Sequence, residues 1–127
     1  MLENEIAEIP DLKYDGIALA QFSRSLFPGS DFKRGGQRWV FRPENYVTFA
    51  VHSARAKHIR LSLPGNRKEF EEHKGAPLRQ GRNPSWSECT LSDPSQLLAV
   101  ASYIQRAAEL FKRGRTRVHR TPVVTER

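Results

Sequence analysis

The chain has 127 residues, 38% of them hydrophobic, and a formal net charge of +7. That length suits one domain with a modest core, and the composition is too apolar for a disordered chain. No apolar run approaches the ~20 residues that span a bilayer, residues 1–10 are acidic rather than a basic stretch leading into an apolar one, and the single cysteine, Cys89, excludes an internal disulfide and a cysteine-rich zinc site. A cytoplasmic protein without a membrane partner is expected.

The charge is segregated along the chain. Residues 1–32 carry two Lys/Arg against six Asp/Glu, and residues 33–82 carry twelve against four. Residues 83–111 carry one against three, and residues 112–127 six against one. Basicity is therefore confined to a central block and the C-terminal segment, and a focused field of one sign draws in polyanions where a scattered one does not.

Residues 1–13 read as an acidic, loosely attached lead-in to a single domain over residues 14–113. Asp15 is placed to cap a helix running to about Phe27, with Leu19, Phe22 and Leu26 on one face, and Pro28-Gly29 stops it. Residues 30–36 read as a loop. Three strands follow at residues 37–42, 46–52 and 57–63, each alternating apolar and polar side chains, with turns at residues 43–45 and 53–56. Short links between them predict an antiparallel meander. Residues 67–73 predict one or two helical turns, and residues 74–84, rich in Gly, Pro and basic residues, a mobile surface loop. Residues 86–91 alternate as a fourth strand. Asp93 then stands at N-cap, Pro94 at N1 and Gln96 at N3 of a helix whose apolar stripe is Leu97, Ala101, Ile104, Ala108 and Phe111. Lys112 and Arg113 suit its last turn and Gly114 its C′ position, after which residues 114–127 read as a basic disordered tail. The result is helix-β-β-β-β-helix. The fold class expected is a two-layer α+β domain, a mainly antiparallel four-stranded sheet with both helices on its apolar face and the other face open.

The order Trp39-Val40-Phe41, Asn45-Tyr46-Val47-Thr48-Phe49 and Ile59-Arg60-Leu61-Ser62-Leu63-Pro64 resembles a family of small bacterial domains of unknown function. Trp86, then Leu91-Ser92-Asp93-Pro94-Ser95-Gln96-Leu97, then Tyr103-Ile104, extend the resemblance over roughly residues 14–112. Such domains occur alone or appended to larger proteins, some of them described as predicted transport or restriction-related. The resemblance implies a small α+β domain and brings no catalytic residues with it.

On the polar sheet face, alternation groups Arg38, Arg42, His58 and Arg60 beside Tyr46, a set suited to phosphates and a stacked base. Lys74, Arg79 and Arg82 of the loop and Arg113, Arg115 and Arg117 of the C-terminal segment complete the expected nucleic-acid-binding residues. Trp39 and Phe41 have core parity, while Trp86 either lines a groove or seals the core edge. The glycines at 35–36 and 75–81 match no P-loop. His52, His58, His73 and His119 lack ligand spacing, and Glu69, Glu71 and Glu72 sit in a charged turn rather than around a metal. Glu88 is the only carboxylate in a predicted strand, and Cys89 has the parity of a buried residue. No catalytic residue, metal or cofactor is assigned. The expected function is a non-enzymatic binding domain for DNA or RNA. A protein-interaction module docking a larger complex is the alternative, and a small nuclease or hydrolase using Glu88 and a histidine a third reading. Oligomeric state is left open.

Overall fold

A computed structural model describes the backbone of residues 1–125 and the side chains of residues 1–114. Three helices, α1 (Leu2–Ile6), α2 (Lys13–Leu26) and α3 (Leu97–Thr125), accompany six strands. These are β1 (Asp31–Gly35), β2 (Arg38–Arg42), β3 (Thr48–His52), β4 (His58–Pro64), β5 (Arg79–Gln80) and β6 (Trp86–Leu91). They form one sheet in the order β1-β2-β3-β4-β6-β5, with every neighbouring pair antiparallel. The α+β class is as expected, but the sheet has six strands rather than four and the chain opens on an extra helix.

Both added strands lie at the margins. β1 carries one inward apolar residue, Phe32, and so gives no alternation to read; it is held by a five-residue ladder to β2 that sets Phe32 opposite Phe41. β5 has two residues, pairing Arg79 with Glu88 and Gln80 with Ser87. The meander of β2, β3 and β4 and the strand β6 follow the sequence expectation.

The N-terminal segment is part of the core. Leu2, Ile6, Ile9 and Leu12 are each at most 2% exposed. Two of its acidic residues meet arginines of the domain: Glu3 bonds Arg24, which also holds Asp31 at 2.6 Å, and Glu5 pairs with Arg34 and accepts from the Trp39 indole N–H; Glu8 accepts from the Ser53 hydroxyl. The four buried apolar side chains hold this stretch, and the charge that marked it as detached adds ion pairs to the domain. The buried face of α2 is Gly16, Leu19, Ala20 and Ser23, with Phe22 and Leu26 only partly covered. Asp15 does not cap it; Leu12 is the N-cap residue. Gly16 lets α2 approach α1 and the sheet closely, since a Cβ there would lie 2.6 Å from Ile6 Cγ2 and 2.8 Å from Ile59 Cδ1.

Asp93 and Gln96 form the expected capping box, over a 3-10 turn that leads into α3. The stripe that α3 buries is Val100, Tyr103, Ile104, Ala107 and Ala108, spaced i, i+3, i+4, i+7 and i+8. The expected stripe was rotated from this by following a seven-residue spacing and passing over Tyr103, whose polar tip is satisfied inside. The Tyr103 hydroxyl donates to the Ala76 carbonyl at 2.6 Å and accepts from the His73 N–H at 2.7 Å. Ala76 and Leu78 are buried with it, as is Phe70 ahead of the expected mobile loop, so the first part of that loop is pinned to the helical side. Gly114 lies within α3 rather than after it. The side chains of the expected tail, residues 114–127, lie outside the described set beyond Gly114 itself.

Candidate nucleic-acid interface

The helices cover one face of the sheet, and the register fixes what the other presents. Thr48 on β3 stands opposite Val40 on β2 and Ser62 on β4, while Ala50 stands opposite Arg60. Across the next ladder Ser62 faces Glu88 and Pro64 faces Trp86. Short side chains (Thr48, Ala50 and Ser62) therefore form the centre, and long ones rise to either side. The outcome is a cleft of about 890 Å³ lined by Arg38 and Arg42 on β2, Arg60 on β4, and Arg82, Trp86 and Glu88 on the β5–β6 side. Among the expected contacts, Arg38, Arg42, Arg60 and Arg82 are thus brought together.

Ion pairing engages some arginines and leaves others, Arg55 and Arg113 outside the cleft included, without a carboxylate partner among the described residues. Arg24, Arg34, Arg67, Arg79 and Arg106 each contact a carboxylate. Arg38, Arg42, Arg60 and Arg82 have no carboxylate partner among the described residues. The one acid in the lining, Glu88, is engaged by Arg79 at 3.4 Å. Trp86 is half-buried, and its backbone carbonyl accepts from Gly81 N and Gln80 Nε2, both at 2.8 Å. It lines the cleft, which decides between its two expected placements.

At one end of the cleft the ring of His52, a lining residue, meets edge to face, at 5.0 Å, that of His58, an expected contact that is not among the lining residues. Desolvation, then the neighbouring His52, Arg60 and Arg79, hold His58 below the usual imidazole range. His52 Nε2 and Asn45 Oδ1, both in lining residues, are buried without a partner among the described residues. Glu88 faces Ser62, four residues along β4 from His58, a separation of about 13 Å along the strand. The acid and the histidine pair therefore occupy opposite ends.

Several expected site residues lie elsewhere. Tyr46 is a correction: it is fully buried, its hydroxyl donates to the Ser23 carbonyl at 2.8 Å, and its ring packs on Phe27 and Phe41. β3 begins only at Thr48, and the consecutive burial of Tyr46 and Val47 breaks the alternation that put Tyr46 on the open face. Arg79 is committed to Glu88. Lys74 belongs to the segment fastened to α3, and Arg113 to α3 itself, so both are on the helical side. Arg115 and Arg117 fall outside the described side chains.

Cys89 is 2% exposed, and burial, with a lesser contribution from Glu88, pushes its thiol up to about 12, leaving it protonated near neutrality. On the helical side Ser102 Oγ lies 2.9 Å from His73 Nε2, but the hydroxyl also donates to its own helix at the Ala99 carbonyl, 2.8 Å away. No group of three or more His, Cys, Asp or Glu among the described residues is arranged to hold a metal ion. No described helix is long and apolar enough to cross a membrane.

The features that sequence reasoning missed are the short floor and the unsatisfied Asn45 and His52. The floor had a signal: small residues at the polar-face positions of the central strands. No family model, curated protein or solved structure matches the chain, so the reading of the cleft rests on its geometry.

Proposed function

We propose that this protein is a binding domain that holds a nucleic-acid backbone in the cleft across the open sheet face. The observation that carries the reading is the convergence of four arginines without carboxylate partners on one cleft, while five others contact carboxylates and two more without such a partner among the described residues, Arg55 and Arg113, lie outside the cleft. Guanidinium groups form paired hydrogen bonds to phosphate oxygens, and displacement of counterions from the strand makes such binding steeply salt-dependent. Expected chemistry at the cleft is retention rather than turnover.

The test is titration of DNA and RNA at several salt concentrations, with the parent and an Arg38→Ala/Arg42→Ala/Arg60→Ala variant. Each lost phosphate contact lowers the magnitude of the salt slope by about 0.7 for a single strand, so the triple variant should lose roughly 2. Arg38 and Arg42 are exposed and Arg60 is half-buried, so truncation leaves the helix-side core intact. A parent that binds nothing at low salt, or a variant that keeps the full slope, would refute the reading and favour a protein partner instead.

A further inference from the structure

The two walls of the cleft differ. Among the described residues, the β2 wall carries two unpaired arginines, Arg38 and Arg42, whereas the β6 side carries Trp86, Glu88 and one unpaired arginine, Arg82. From β2 to β6 is three strand spacings, about 14 Å between backbones before side chains narrow the gap. A single strand has the same asymmetry in cross-section, with phosphates on one side and bases on the other. A duplex instead displays phosphates along both margins. It is also entered by a projecting helix or ribbon, in a major groove about 12 Å wide, and a concave face projects nothing.

From this asymmetry we infer that the cleft takes a single strand, with its phosphates on the β2 wall and Arg60 and one base stacked on Trp86. Platforms of this kind tolerate any base, because every base has a π-face. The Trp86 backbone is clamped by Gly81 and Gln80, and a Cβ on Gly81 would sit only 2.8 Å from the Trp86 carbonyl oxygen, so the indole stands on a fixed support. Glu88 on the same wall is paired with Arg79, and Arg82 beside Trp86 adds a planar guanidinium that also stacks on bases. The inference rests on the nucleic-acid reading of the cleft.

The experiment compares four probes by fluorescence anisotropy at low salt: a DNA 12-mer, the RNA 12-mer of the same sequence, the corresponding DNA duplex, and an abasic DNA strand of equal length. A single strand of either sugar should bind at least tenfold tighter than the duplex. Removing the bases while keeping the phosphates should weaken binding roughly five- to 150-fold, the range for one stacked base. Trp86→Ala should remove most of the difference between the intact and abasic strands and leave the abasic strand unaffected. If circular dichroism shows that variant to be unfolded, the intact-against-abasic comparison on the parent decides the question. Equal binding of duplex and single strand, or of intact and abasic strands, would overturn the inference and leave a phosphate-binding cleft. Failure of every probe to bind would remove the nucleic-acid reading itself.

Discussion

The contact between Ile6 and Gly16 offers the sharpest test of how the N-terminal segment is held. Ile6 is fully buried, so Ile6→Ala should cost about 2–5 kcal/mol through lost burial and the cavity left behind. Gly16→Ala adds a Cβ at 2.6 Å from Ile6 Cγ2 and 2.8 Å from Ile59 Cδ1, well inside the ~3.5–4.0 Å of carbon contacts. Such overpacking costs about 1–3 kcal/mol, and the better helix propensity of alanine offsets about 0.5–1 of it. A net loss of up to about 2.5 kcal/mol is expected. The double variant should not show the sum. Removing Ile6 Cγ2 gives the new Cβ room, and only the flexible tip of Ile59 then has to move. The double variant should therefore be more stable than additivity predicts by about 1 kcal/mol or more, within the usual range for residues in contact. Urea denaturation followed by far-UV circular dichroism gives all four stabilities. Additive costs, or a Gly16→Ala variant at least as stable as the parent, would refute the packing of α2 on α1.

Tyr46→Phe removes a buried hydroxyl from the Ser23 carbonyl and should cost about 1–3 kcal/mol in the same assay while leaving affinity for nucleic acid unchanged; loss of affinity without loss of stability would return Tyr46 to the binding surface. His58 has a folded pKa below its ordinary value, so the unfolded chain takes up that proton first as the pH falls. Its contribution is present above about pH 6.5 and lost as the pH falls through the folded value. The drop in urea midpoint from pH 7.5 to 5.5 should accordingly be smaller for His58→Asn than for the parent, and equal drops would contradict the assignment.

Local signals in the sequence were the readable ones. Alternation from Trp86 to Leu91 and the reciprocal bonds of Asp93 and Gln96 depend on neighbours in the chain, and both elements stand where those residues put them. β1 was not readable, because Asp-Phe-Lys-Arg-Gly becomes a strand only by pairing with β2. The helical spacing of Leu2, Ile6 and Ile9 was present but outweighed by Glu3, Glu5 and Glu8, whose charge suggested solvent. The partners of Glu3 and Glu5, Arg24 and Arg34, lie about twenty to thirty residues on, at a distance no periodicity reveals. In the cleft, parity was enough to group Arg38, Arg42 and Arg60. It could not show the hollow between them, which needs Thr48, Ala50 and Ser62 side by side in register, nor the short β5–β6 pairing that brings Arg82 and Trp86 to the same wall.

The sheet ends unequally. One margin is the two-residue β5, and the other is the five-residue β1. A second copy could extend the sheet at length only along β1, and an antiparallel two-fold pairing centred there would set Lys33 against its own counterpart. Like charges directly opposite destabilise a strand pair, and lysine on an outer strand is a recognised guard against unwanted continuation. The charge of Lys33 thus works against growth into a ribbon, and the domain can keep a broad open face without inviting copies of itself to stack edge to edge.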